Sequence, residues 1–295
     1  MERRPYLRAG LFAVVALCAL ACAAQTVIYE KPSRYNTIIV TEDHNGLRTL
    51  LFERGGTRQS VVKPGDPDHL ELRYAQVALV GLALCEEPHR ILVVGLGGAT
   101  LPTFLRKHYP NAAIDVAEID PEVVDVAKKF FGFREDERMR VHIGDGRRFI
   151  ENVGRPQYDM IFLDAFGAES IPAHLTTQEF LQAARRALMP SGVVVGNVWG
   201  PSYNRLYDSM LRTYQEAFDE LFIVDVFGDV NNIFFALPRK QRLSRSELAL
   251  AARKISAAKQ FRFDLGDLVE HGFLHADDKN QDVRVLRDAD LRQPR

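Results

Sequence analysis

The sequence predicts an α/β fold, a doubly wound and mostly parallel seven-stranded sheet preceded by a small antiparallel β domain. Three observations carry that reading. From Arg90 onward, apolar runs of strand length alternate with amphipathic helical stretches, which specifies a parallel sheet covered on both faces. The first of those runs ends in a glycine-rich turn, VVGLGGAT, at the place where such sheets meet ligands. Before it, short β-type runs are separated by Asn45-Gly46 and Gly55-Gly56, which are hairpin signals.

Residues 1–25 read as a targeting segment and not as part of the fold. Arg3, Arg4 and Arg8 precede an apolar run from about Ala9 to Ala24, the pattern of an export signal. The paired arginines followed by Pro5-Tyr6-Leu7-Arg8 are similar to a twin-arginine signal, with Glu2 where Ser or Thr is usual. Cleavage is expected after Ala21 or near Ala23 and Ala24. Two further readings stay open: a lipid anchor on Cys22, and an uncleaved membrane anchor, for which the run is slightly short. Each leads to the same expectation, a folded part that is exported or membrane-attached, with the N-terminal segment engaging the membrane.

Residues 26–68 supply the antiparallel β domain through TVIYE, NTIIVTE, LRTLLFE and RQSVV. Residues 69–242 form the nucleoside-binding domain. It opens with an apolar helix in ELRYAQVALVGLALC and continues with the strands RILVVG, AIDVAE, RVHIG, YDMIFLD and GVVVGNVW, each followed by a helical stretch except the last two-run closure. LFIVDVF and NNIFFALP lie too close together for a helical crossover and should pair antiparallel at the sheet edge. Five strand-helix units closed by a hairpin define the methyltransferase-like variant of the doubly wound fold. Residues 243–295 read as a C-terminal helical extension, with one helix capped near Ser244 or Ser246 and then a polar tail.

Charge and cysteine usage exclude several functions. With 38 Lys plus Arg against 39 Asp plus Glu, no global field exists to hold a nucleic acid. Of 3 cysteines, only Cys85 lies beyond the N-terminal segment, so no internal disulfide is available to the folded part. Neither CxxC nor HExxH occurs, and no metal is expected.

The chemistry-bearing residues fall at strand ends. Gly95, Gly97 and Gly98 follow the first strand and permit close backbone approach to a ligand, or else simply make a tight turn. Glu118 ends the second strand about twenty residues on, where a carboxylate accepts from ribose hydroxyls. Asp120 reads as a helix cap before Pro121. Asp145, after the third strand and beside Gly146, suits an exocyclic amine such as that of adenine, or again a cap. Asp164 ends the fourth strand in the expected pocket centre, where an acid without a role would be costly. The set lacks phosphate-binding basic residues, GLGGAT departs from GxGxxG, and no Arg lies beside Glu118. It therefore favours an S-adenosylmethionine-type ligand over a dinucleotide.

Taken in order, SRYNTIIVTED, ILVVGLGGATLP, VAEIDPEVVDVAKKFF, GDGRRF and YDMIFLDAFGAESIPAHLTTQEFLQAARRALMPSGVVVGNV resemble the spermidine synthase-like family, the polyamine aminopropyltransferases and their relatives. The resemblance implies that Glu118 binds the donor ribose, that Asp145 and Gly146 flank its adenine, and that the Gly95–Gly98 loop holds the amino-acid-derived chain. It places Gln59 and Tyr74 among the substrate contacts. It also implies S-adenosylmethionine, its decarboxylated form or methylthioadenosine as ligand, an amine as acceptor, and a homodimer.

Departures from the family pattern bear on catalysis. Where the family has Asp-Ser-Ser/Thr-Asp after the fourth strand, this chain has Asp164-Ala165-Phe166-Gly167, so the acid that deprotonates the attacking amine is replaced by Gly167. The glycine loop lacks the family's Asp, and Ala75 and Gln76 stand where His and Glu follow the Tyr. The candidate catalytic groups are then Asp164, with Glu169 and His174 as alternative bases. Three functions remain open: transfer of an aminopropyl or methyl group to an acceptor, non-catalytic binding of a nucleoside or polyamine outside the cytoplasm, or small-molecule methyl transfer.

Overall fold

The computed structural model describes residues 25–85, 87–167, 171–274, 276 and 279–292. The expected targeting segment before Gln25 and the alternative base Glu169 lie outside the described residues.

Four antiparallel strands open the chain: β1 (Thr26–Pro32), β2 (Thr37–Glu42), β3 (Arg48–Leu51) and β4 (Arg58–Val62), in the spatial order of the sequence. Asn45-Gly46 makes the β2–β3 turn as expected, with Gly46 at φ +75°, a conformation that costs glycine little. The sheet buries Ile38, Val40 and Leu50 and is fastened to the following α/β domain by polar ties. Ser33 Oγ donates to Asp120 at 2.5 Å, Lys31 Nζ reaches Glu122 at 2.5 Å, and Arg48 donates to the carbonyl of Phe130 at 2.6 Å.

The apolar helix is shorter than its hydrophobic run. α1 (Arg73–Ala78) tightens into a 3₁₀ turn over Leu79–Ala83. Gly81 lets this turn lie against the sheet, since a Cβ there would meet Val195 Cγ2 at 2.7 Å.

The main sheet then alternates as predicted. Its elements are β5 (Arg90–Val94), α2 (Thr100–His108), β6 (Ala113–Glu118), α3 (Pro121–Phe130), β7 (Met139–Ile143), α4 (Gly146–Glu151), β8 (Tyr158–Leu163), α5 (Gln178–Ala187), β9 (Leu188–Trp199), α6 (Tyr207–Ala217), β10 (Glu220–Asp225) and β11 (Asn231–Leu237). β6, β5 and β8 pair in parallel register and are almost wholly apolar, as strands covered on both faces must be. β10 and β11 pair antiparallel, and β11 also pairs antiparallel with β9, so every residue of β11 is buried.

The sheet has 8 strands and not seven. After α7 (Arg245–Lys259), held by a Ser244–Glu247 capping box, the stretch expected to be a polar tail folds into α8 (Leu265–Gly272) and the two-residue strand β12 (Phe273–Leu274), which covers the open side of β10. Asp264 caps α8 by accepting from the amides of Gly266 and Asp267, and Leu265 and Val269 are fully buried. The spatial order is β12-β10-β11-β9-β8-β5-β6-β7. Strand order reverses between β5 and β8, and that switch point positions the site.

Candidate active site

A cavity of about 210 Å³ opens at the switch point, between the carboxyl ends of β5, β6 and β8 and the face of the N-terminal sheet. Its lining includes Gly95, Gly97, Glu118, Asp145, Gly146 and Asp164 together with Gln59, Tyr74 and His174. The described residues singled out at separate strand ends thus converge, apart from Gly98, whose amide donates to Ser60 in the lining.

The glycine loop is shaped by what it touches. Gly95 has φ +98°, and a Cβ there would lie 2.4 Å from the carbonyl oxygen of Asp164. A Cβ on Gly97 (φ +53°) would meet Ser60 Oγ at 2.7 Å. Ser60, on β4, accepts from the amide of Gly98 at 2.8 Å, so the N-terminal sheet pins the loop directly. The turn ends in Ala99 at φ 62°, a left-handed conformation costly for a residue with a Cβ and tolerated only where the surroundings fix it.

Glu118 is 7% exposed, and both of its oxygens are engaged. Oε2 accepts from the amide of Leu96 at 2.8 Å and Oε1 from the amide of Asp120 at 2.9 Å. Burial pushes its carboxyl up from the usual range, while these amides oppose the shift by stabilising the anion. A carboxylate has about four acceptor positions, so these amides leave the group some acceptor capacity. Asp120 is a cap, as expected: its side chain accepts from the amide of Glu122 at 3.0 Å.

Asp145 is a helix cap, one of its two expected readings, and its other oxygen has a protein partner. Oδ1 caps α4 by accepting from the amide of Arg148 at 2.9 Å, and Oδ2 pairs with His174 Nε2 at 2.8 Å. Gly146 has a packing reason beside any ligand role, because a Cβ there would strike Val94 Cγ1 at 2.3 Å. His174 sits in a 3₁₀ turn over Ala173–Leu175, on the Asp145 side of the cavity.

Asp164 has different partners. Tyr74 Oη donates to Oδ2 at 3.1 Å and Asn197 Nδ2 donates to Oδ1 at 2.9 Å. Asn197 Oδ1 in turn accepts from Asn231 Nδ2 at 2.7 Å. Desolvation pushes the Asp164 carboxyl up to about 6, against the two hydrogen bonds, which favour the anion. The same desolvation, with the negative charge of Asp164 beside it, drives the Tyr74 phenol well above its ordinary value. Tyr74 is therefore a proton donor that stays protonated.

Sequence reasoning missed Ser60, Asn197, Asn231, Asp229 and the stacked pair Phe166–Trp199, whose rings lie 5.8 Å apart and also line the cavity. Asn197 had a readable cue, a lone amide inside the apolar run VVVGNVW. Among the described residues, no group of three or more His, Cys, Asp or Glu side chains could hold a metal, and no helix is long and apolar enough to cross a membrane.

Comparison with known proteins agrees with this geometry. The chain belongs to the spermine/spermidine synthase domain family, which matches residues 72–224. It is 35% identical over 293 residues to a polyamine aminopropyltransferase of Vibrio vulnificus (strain CMCP6), covering 93% of this chain and 95% of that protein. It is also 34% identical over 209 residues to the human eEF1A lysine and N-terminal methyltransferase, covering 64% of this chain and 30% of that protein. The solved structure of human methyltransferase-like protein 13 in complex with SAH superposes with a TM-score of 0.59 at 33% identity, covering 64% of this chain and 93% of that one.

Proposed function

We propose that the protein is a transferase that takes an adenosyl sulfonium donor, S-adenosylmethionine or its decarboxylated form, and moves a methyl or aminopropyl group to an amine acceptor. The observation that carries this reading is the convergence of the glycine loop, Glu118 and Asp145 on one cavity with Asp164 at its centre. One relative is a polyamine aminopropyltransferase, and the similar solved structure of methyltransferase-like protein 13 is a complex with SAH, which together support an adenosyl-type ligand. The cavity is lined by five carboxylates, Glu118, Asp120, Asp145, Asp164 and Asp229, against Arg58 and His174, a balance that suits a cationic donor and a basic acceptor.

In this reading the neutral acceptor nitrogen attacks the carbon bound to sulfur. The N–C bond forms as the C–S bond breaks, its electron pair passing to sulfur to leave a neutral thioether. The ammonium product then releases its proton to Asp164, directly or through water. Asp164 is ionised above pH 6 and can take that proton, while Tyr74 and Asn197 hold its two oxygens in place. Catalysis then rests mainly on positioning, which in-line displacement rewards strongly, and the replacement of the family acid by Gly167 is compatible with turnover.

A second reading, non-catalytic binding of a nucleoside or polyamine, is favoured by Gly167 in place of the expected acid and by the export signal expected at the N-terminus. Export through the N-terminal segment, with or without membrane attachment, and homodimerisation belong to the same proposal. Calorimetry with S-adenosylmethionine, decarboxylated S-adenosylmethionine and methylthioadenosine tests the donor site, with Glu118→Ala as control. Micromolar binding lost at least a hundredfold in the variant supports the clamp, and turnover of bound donor with an amine panel separates enzyme from binder. Absence of binding for all three ligands would end both adenosyl readings.

A further inference from the structure

Arg147, one residue beyond Gly146 on α4, joins three segments that are distant in sequence. Its guanidinium donates to Asp288 Oδ1 at 2.7 Å and Oδ2 at 2.5 Å, to the carbonyl of His174 at 3.1 Å and to Thr177 Oγ1 at 3.3 Å, and it also pairs with Glu151 at 2.7 Å. The side chain is only 15% exposed, and the carboxylates around it hold its pKa above the ordinary arginine value. A bidentate, charge-assisted pair of this kind fixes orientation as well as distance.

The C-terminal segment that supplies Asp288 is itself docked. Leu286 is 4% exposed, its amide donates to Thr213 Oγ1 on α6 at 2.9 Å, and its carbonyl accepts from the amide of Gln178 at 2.8 Å. The amide of Asp288 donates to Glu179 Oε2 at 3.0 Å. The C-terminal segment therefore lies across the start of α5 and reaches the wall of the cavity. That wall is the Asp145–His174 pair with Pro172 and Leu175. The hydrogen bonds within the 172–176 turn are local, Leu175 to Pro172 and Thr176 to Ala173, so beyond the packing of Ile171 and Leu175 on the core its polar ties to the rest of the molecule come from Arg147 and Asp145.

We infer that Asp288 is a positioning residue for the adenosyl pocket: by holding Arg147 it sets the Asp145–His174 wall, and donor binding is linked to docking of the C-terminal segment. The inference rests on the reading of the cavity as a donor site. Linkage is reciprocal, so a segment that strengthens ligand binding must itself be held more firmly when ligand is bound.

The test uses the full chain with S-adenosylhomocysteine as probe. Calorimetry on the wild type, Asp288→Ala and Asp288→Glu should give a loss of about five- to fiftyfold in affinity for the alanine variant and recovery of most of it with glutamate. In the wild type, hydrogen exchange at residues 283–292 should slow on adding the probe, a response that a purely structural tail would not give. Should Asp288→Ala fail to fold, the exchange measurement on the wild type decides alone. Equal affinity in the alanine variant, or exchange at 283–292 unaffected by bound probe, overturns the linkage and leaves the donor site standing. No binding to the wild type overturns both.

Discussion

The half of the cavity that the proposed function gives to the donor and the half it gives to the acceptor are built from different materials. Around Gly95 and Glu118 the contacts are to backbone: the Asp164 carbonyl limits Gly95, and the amides of Leu96 and Asp120 hold Glu118. Around Asp164 they are between side chains, Tyr74, Asn197 and Asn231, carried on separate strands and a helix. A backbone-built half cannot drift without disturbing the fold, whereas a side-chain-built half can exchange groups at fixed backbone. That contrast gives a physical reason for the match to the resembled pattern expected at Gly95 and Glu118 and the departures expected at Ala75, Gln76 and Gly167.

The largest effect should come from adding one methyl group at the Gly95 turn. Gly95→Ala places a Cβ 2.4 Å from a carbonyl oxygen at φ +98°, which nothing flexible can relieve. We expect a loss of about 2–4 kcal/mol in stability and no measurable adenosyl binding, read by calorimetric melting and titration. A variant that binds within threefold of the wild type would mean the loop is not held by contact with Asp164.

In the acceptor half, a substitution should improve the fold while harming the chemistry. The Asp164 carboxyl is raised from 3.8 to about 6, so between those values the folded state binds more protons than the unfolded state. Stability then falls as pH rises from about 4 to about 6 and stays lower above that window. The cavity admits water, which reduces the penalty to about 1–3 kcal/mol. Asp164→Asn should abolish this slope, melting above the wild type at pH 7 and with it at pH 3.5, while turnover falls by about a hundredfold or more. Identical pH profiles of melting in the two proteins would place the charge elsewhere.

Legibility in the sequence divides along the same line. Gly95, Glu118, Asp145 and Asp164 could be placed because periodicity marks where a strand ends, and the doubly wound topology brings strand ends together. Asn197 and Asn231 could not be paired in advance: their contact depends on the antiparallel register of β9 with β11, where Asn231 lies opposite Trp199. Ser60 is separated from Gly98 by 38 residues and meets it only through docking of the N-terminal sheet. α8 went unread because its apolar positions, Leu265, Leu268 and Val269, are interleaved with charges in a short helix. β12, two residues long, is defined entirely by its neighbour β10.

Restoring the family acid asks how far the acceptor half has moved. Gly167 follows Phe166, which lines the cavity. If the backbone there is preserved, Gly167→Asp should raise aminopropyl transfer from decarboxylated S-adenosylmethionine to a diamine by about tenfold, within the range one added base supplies. No gain, with donor affinity intact, would indicate an acceptor half rebuilt for a different amine.

The smallest effect tests whether the two halves are separable through the N-terminal sheet. Ser60 Oγ accepts the Gly98 amide at 2.8 Å, and Ser60 is 4% exposed, so its removal leaves a buried donor without that partner. Such a loss costs about 1 kcal/mol, near the lower end for an orphaned amide, because the cavity beside the loop can supply water. Ser60→Ala should weaken adenosyl binding about fivefold by titration, with the pH of half-maximal turnover unchanged. The hydroxyl touches the loop and does not touch Asp164. A shift of that pH toward the ordinary carboxylate range would instead reveal that the N-terminal sheet controls desolvation of Asp164, joining the halves that the hydrogen bonds keep apart.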